Sequence, residues 1–167
     1  MAFGIVLAAA GLPFAASGVY LLALALASFR RERPARPLYP IARLAVLVPA
    51  HDEEELVGRC VSALRAQTYP SSRRRVVVIA DNCGDRTAEV AAAAGAEVLE
   101  RRDDHRRGKG HALRWAMDRL LAETEPPDAV VVVDADSIAD RELLGELAAA
   151  LATGADVAQA EDRKSVV

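Results

Sequence analysis

Four short apolar runs, at 44–48, 76–80, 96–99 and 130–133, punctuate this sequence, and each of the three intervals between them carries helical spacing. Runs of valine, isoleucine and leucine without polar alternation suit strands buried on both faces, which is the situation inside a parallel sheet. Strand and helix in strict alternation therefore predict an α/β fold: a Rossmann-like, mainly parallel sheet with helices on both faces. In the first interval, 53–67, Leu56, Cys60, Val61 and Leu64 share a helical face, and Tyr69-Pro70 marks the exit. The second helix, 85–94, opens at Asp85 and stops at Gly95. The third, 108–123, is expected to turn Leu113, Met117, Leu120 and Leu121 inward.

Ahead of this pattern lies a segment of different character. From Ala2 to Phe29 no side chain ionises except the phenol of Tyr20, and about 20 such residues suffice to cross a bilayer core. The run exceeds the apolar stretch of a signal peptide. Arg30, Arg31, Arg33 and Arg36 follow at once, and positive charge beside a span stays on the cytoplasmic side. The expectation is one transmembrane helix over 1–29, a basic, Pro-rich juxtamembrane linker over 30–40, and a globular part from 41 to 161. The protein would then be single-pass in the cell inner membrane with its globular part cytoplasmic. A length of 167 residues leaves room for about one domain besides the span. The formal net charge of −3 lacks the basic excess of a nucleic-acid binder, so no nucleic acid is expected as a partner. Cys60 and Cys83 are too few for a disulfide framework or a zinc site and read as packing residues. His51, His105 and His111 lack the i, i+4 spacing of zinc ligands, and Trp115 reads as a partly buried helix residue.

Ligands of doubly wound sheets bind beyond the carboxyl ends of the strands, so the residues after each apolar run carry the functional argument. The first run leads into Pro49-Ala50-His51-Asp52-Glu53-Glu54-Glu55, and the second into Asp81-Asn82-Cys83-Gly84-Asp85-Arg86-Thr87, a turn-forming set in which Asp85 can cap a helix. The third leads into a charged loop, 101–111, whose Gly108-Lys109-Gly110 opens a helix; amides there and Lys109 suit an anionic diphosphate. After the fourth run stands Asp134-Ala135-Asp136. Two carboxylates delivered together at the edge of a buried strand can share a divalent cation, and hard oxygen ligands suit Mg2+ or Mn2+.

Taken together, Val48-Pro49-Ala50-His51-Asp52-Glu53-Glu54, Ala80-Asp81-Asn82-Cys83-Gly84-Asp85-Arg86-Thr87, Arg107-Gly108-Lys109-Gly110 and Asp134-Ala135-Asp136 resemble the family 2-type glycosyltransferases of the GT-A fold, over roughly 44–159. The resemblance implies a nucleotide diphosphate sugar donor, a UDP- or GDP-sugar, and a glycan or lipid acceptor. It implies that Pro49, Ala50 and Glu53 line the nucleotide pocket, that Asp81 contacts the base and that Lys109 lies near the nucleotide. Asp134 and Asp136 would form the DxD element that binds metal and diphosphate. Asp52 departs from the family pattern, which has Asn there. A base carboxylate well downstream of the DxD is not visible, and Glu161-Asp162 follows Asp136 too closely to be it, so the domain is expected to be incomplete. The last six residues, 162–167, coincide with one translation of a common sequencing-library adapter and are expected to be non-native. Two other readings compete: a non-catalytic, membrane-tethered nucleotide-binding domain, and a haloacid-dehalogenase-like phosphatase with Asp134 as nucleophile.

Overall fold

The computed structural model describes residues 18–22 and 42–160. Residues 18–22 are helical, and among the described residues no helix is long and apolar enough to cross a membrane. The anchor expected over 1–29 lies outside the described residues apart from that short piece, as do the 30–40 linker and the 162–167 tail.

The second unit of the chain, residues 35–167, is built on four strands in chain order, β1 (Leu44–Ala50), β2 (Arg74–Asp81), β3 (Glu97–Arg101) and β4 (Ala129–Val132). They form one parallel sheet in the order β3-β2-β1-β4. Four helices connect or follow them: α1 (Val57–Arg65), α2 (Thr87–Ala93), α3 (Lys109–Leu121) and α4 (Leu143–Ala152). Alternation along β1 feeds two cores. Leu44, Val46 and Val48 pack with Val57, Cys60, Val61 and Leu64 of α1, Ala91 of α2 and Leu144 and Ala148 of α4. Ala45 and Leu47, with Val77 and Ile79 of β2, meet Ala112, Ala116 and Leu120 of α3 on the opposite face. Each buried Val or Leu contributes about 1.5–3 kcal/mol of apolar transfer, and a strand buried on both faces collects it at every residue.

Two helix faces differ from expectation. Leu56 is 37% exposed because α1 begins after it; the preceding residues form a turn in which the Leu56 and Val57 amides donate to Glu53 O at 3.1 and 3.0 Å. In α3 the buried line is Ala112, Ala116 and Leu120, while Leu113 and Met117 are half-buried and Leu121 is 61% exposed. A stripe of alanines at i, i+4 lets the helix axis approach the sheet, and the longer aliphatic side chains flank that contact instead of making it. Trp115 is half-buried, with the Arg119 guanidinium 4.7 Å above its ring. Helix α2 starts at Thr87, two residues later than expected, because Asp85 lies in the loop and its carboxylate receives the Thr87 amide at 2.9 Å.

Candidate functional site

The chain lays down β1, β2 and β3 outward in one direction, then returns to place β4 on the other side of β1. That reversal opens a crevice at the carboxyl ends of β1 and β4, the place where such sheets bind ligands. A cleft of about 410 Å³ lies there. Pro49, Ala50 and Glu53 line it from the end of β1, Asp81 from β2, Lys109 from α3, and Asp134 and Asp136 from the segment after β4. The seven residues singled out in the sequence thus meet in one cavity. His51, Asn82 and Arg107 line it too; their types gave no signal beyond position after a strand.

The acidic end follows from strand alternation. Val133 continues the β4 ladder through its amide to Leu47 O at 3.0 Å, and Val131, Val133 and Ala135 turn into the α1–α4 core. Asp134 is exposed at the cleft on the side of the chain opposite Val133, and Asp136 is exposed there from a turn that the Ser137 amide closes on Asp134 O at 3.0 Å. The α3 side of the sheet holds the N-terminus of that helix, and there Lys109 Nζ pairs with Asp134 Oδ1. Behind the two aspartates sits Cys60, whose thiol donates to Asp134 O at 3.5 Å. Burial, then the negative charges of Asp136 and Asp134, push this thiol up to about 11. Two oxygen-bearing side chains beside a lysine in an open cleft are a donor set that suits Mg2+ or Mn2+.

The opposite end is organised by Asp81, a buried residue at the close of β2. Arg101 Nη1 donates to its Oδ1 at 2.6 Å, and Asn82 Nδ2 donates to the same oxygen at 3.1 Å. His51 places Nδ1 2.7 Å from Asp81 O, to which it donates. The structure also brings ligand atoms of His51, Asp52 and Cys83 within 4.8 Å of one another, a grouping that spacing along the chain did not reveal. Cys83 is buried, donates to Ala50 O at 3.6 Å, and is pushed above the ordinary thiol value by burial, all of which oppose a metal-binding thiolate.

The loops after β1 and β2 are laced together. Glu53 N donates to Thr87 Oγ1 at 2.8 Å, Glu54 N to Asp85 Oδ2 at 3.1 Å, Arg86 N to Glu54 Oε2 at 3.0 Å and Gly84 N to Asp52 Oδ1 at 2.7 Å. The acidic residues here cap backbone amides of the neighbouring loop, which fixes where Glu53 meets the cleft. The Thr87 hydroxyl, and then backbone amides, hold the Asp85 carboxyl below its ordinary value. Asp52 and Asn82 adopt φ of 53° and 54°, the left-handed region that Asp and Asn tolerate best.

Comparison with known proteins agrees with this geometry. The family described as "Glycosyltransferase like family 2" matches residues 42–165. Low-salt glycan biosynthesis hexosyltransferase Agl6 of Haloferax volcanii is 33% identical over 104 residues, covering 62% of this chain and 23% of that protein. Beta-monoglucosyldiacylglycerol synthase of Synechocystis is 31% identical over 107 residues, 63% of this chain and 22% of the relative. The chain thus spans under a quarter of the length of these two relatives. Among solved structures, the mannosyltransferase PcManGT from Pyrobaculum calidifontis, in complex with GDP-Man and Mn2+, superimposes with a TM-score of 0.66 at 25% identity, over 85% of this chain and 41% of that one. Glucosyl-3-phosphoglycerate synthase from Mycobacterium tuberculosis, in complex with Mg2+ and UDP, gives 0.53 at 25% identity over 66% and 40% of the two chains. The family match over 42–165 takes in all four strands and the segments after them, and it displaces the dehalogenase-like reading of Asp134. The chain belongs to the glycosyltransferase like family 2.

Proposed function

We infer that this chain carries the donor-binding half of a membrane-anchored glycosyltransferase that moves a sugar from a UDP- or GDP-sugar to a glycan or lipid acceptor. The observation that carries the reading is the meeting of Pro49, Ala50, Glu53, Asp81, Lys109, Asp134 and Asp136 in one cleft at the switch point of the sheet. In this reading Asp81 accepts a hydrogen bond from the base, while Pro49, Ala50 and Glu53 form the floor under the nucleoside. Lys109 and the amides at the start of α3 meet the diphosphate. Asp134 and Asp136 would hold Mg2+ or Mn2+, which when bound supplies positive charge to a leaving diphosphate. The acceptor's proton goes to a base that is not among these seven residues. The solved neighbours with GDP-Man and Mn2+ or with UDP and Mg2+ support the donor class, and the glycan-biosynthesis and diacylglycerol relatives support the acceptor class. The uncharged segment from Ala2 to Phe29 and the arginines after it support an inner-membrane anchor with the globular part in the cytoplasm.

Calorimetric titration of the detergent-solubilised chain with UDP and GDP, with and without Mn2+, tests the reading. Binding that requires the metal and is lost in Asp136→Ala is expected. A folded wild-type protein that binds neither nucleotide would overturn it.

A further inference from the structure

Asp81 and Arg101 are the two buried charged residues among those described, at 7% and 5% exposure. A charge so far from water is tolerated where its whole hydrogen-bonding capacity is used, and the guanidinium of Arg101 uses its in two directions. Nη1 donates to Asp81 Oδ1 at 2.6 Å, while Nη2 donates to Asp103 Oδ2 at 2.9 Å and to Arg106 O at 2.7 Å. Asp103 in turn gathers the amides of His105 and Arg106 on Oδ1, each at 3.0 Å, so the loop after β3 is wound around its carboxylate. These amides, that of Arg106 foremost, and the Arg101 charge hold Asp103 below the usual carboxylate range. Directly after this knot the chain delivers Arg107, Gly108 and Lys109 to the cleft. Asn82 reinforces the arrangement: its amide donates to Arg101 O at 2.8 Å and its Oδ1 receives the Asp103 amide at 2.8 Å.

We propose that Arg101 is a positioning residue for the donor, fixing with one buried guanidinium both Asp81 at the base end of the cleft and the Lys109 loop at the diphosphate end. The proposal rests on the donor-binding reading above. It has a chemical consequence for selectivity. Both hydrogen bonds to the Asp81 carboxylate among the described residues fall on Oδ1, which leaves Oδ2 to face a ligand as an acceptor. A base with a ring N–H, such as uracil or guanine, satisfies it in place; cytosine and adenine bring a ring lone pair there and reach the carboxylate only by shifting to their exocyclic amino group, which weakens their binding. An arginine fork spans two partners in fixed geometry, which neither glutamine nor the point charge of lysine reproduces.

The test is calorimetry on the full solubilised chain with UDP, GDP, CDP and ADP in Mn2+, for wild type, Arg101→Gln and Arg101→Lys. The readout is the ratio of the CDP Kd to that of the better of UDP and GDP. Partial unfolding scales every affinity by the same folded fraction and leaves this ratio unchanged, whereas loss of positioning contracts it. A contraction of about tenfold is expected in Arg101→Gln, the worth of one charge-assisted hydrogen bond, with a smaller one in Arg101→Lys. If Arg101→Gln does not fold, Arg101→Lys decides. A wild type that binds uridine or guanosine diphosphate with a ratio unchanged in the folded variants, or that shows no base preference, overturns the proposal and leaves the donor reading standing. A wild type that binds no nucleotide overturns both.

Discussion

Thr87 is fully buried, and its hydroxyl stands between the two loops that shape the cleft: it accepts from Glu53 N at 2.8 Å and donates to Asp85 Oδ1 at 2.5 Å. Thr87→Val keeps the side-chain volume and removes both bonds. The Glu53 amide is then left part-buried without its acceptor, which costs about 1–3 kcal/mol. For a domain of this size that lowers Tm by about 4–12 °C. Glu53 lines the cleft, so nucleotide affinity should fall with it. The change also carries a pH signature. The Thr87 hydroxyl is the leading reason the Asp85 carboxyl lies below its ordinary value; a depressed carboxyl stabilises the fold above its unfolded value, near about 4, and that contribution fades as pH falls through the folded value. The gap between wild type and Thr87→Val should therefore be widest from about pH 6 upward and narrow toward about pH 3 without closing, because the orphaned amide does not titrate. Circular-dichroism melts across that range measure it. Thr87→Ser, which keeps the hydroxyl and loses a methyl, separates bonding from packing. A Thr87→Val protein within about 0.5 kcal/mol of wild type, or less damaged than Thr87→Ser, would refute the argument that the hydroxyl laces the loops.

Ala116 lies fully buried where α3 rests on the sheet, so Ala116→Leu has no space to enter and should cost about 1–3 kcal/mol by urea denaturation. At Asp52, φ is 53° and the side chain accepts the Gly84 amide at 2.7 Å; Asp52→Asn preserves both features and should stay within about 0.5 kcal/mol of wild type, whereas Asp52→Val should lose about 2 kcal/mol in the same assay. Cys60, at 1% exposure with its thiol pushed up to about 11, has about one thiolate per thousand at pH 8, so iodoacetamide should label it in native protein far more slowly than after denaturation.

The strands were legible because nothing else accounts for valine runs such as Val76–Val78 and Val130–Val133 bounded by turn residues, and each run is too short for a buried helix. The segments that carry the seven cleft residues were legible for a related reason, since they follow the strand ends, while Pro49, Ala50, Glu53 and Asp81 were singled out within them by the family resemblance. Helix faces were harder. In α3 the reading followed the larger aliphatics, yet the sheet-facing line is set by Ala112 and Ala116, whose small size is the point of the contact and whose hydrophobic signal is weak. Least legible were Arg101, Asn82 and Thr87. In the sequence Arg101 is one charge in a charged loop and Thr87 one hydroxyl in a turn. What distinguishes them is burial beside partners 20 and 34 residues away, Asp81 and Glu53, and one-dimensional spacing carries no trace of that.

Register explains how residues so distant in the chain come to share a small cavity. Leu47 pairs with both Val77 and Val132, so positions advance in step along all three strands. Two residues on, Pro49 lies beside Ile79 of β2 and at the level of Asp134 beyond the end of β4, and Asp81 closes β2 just after Ala50 closes β1. The central position of β1 then puts Asp81 on one flank and the aspartate pair on the other, with Pro49 and Ala50 between them. This arrangement has no tolerance for slippage. A one-residue shift of β4 would turn Asp134 into the α1–α4 core and bring Val133 to the cleft, replacing a carboxylate by an apolar group and burying a charge without a partner. The burial of Val131 and Val133 with Val48, Cys60 and Leu144 in that core therefore does more than stabilise the sheet: it sets which side of the chain faces the cleft, and so keeps Asp134 beside Lys109.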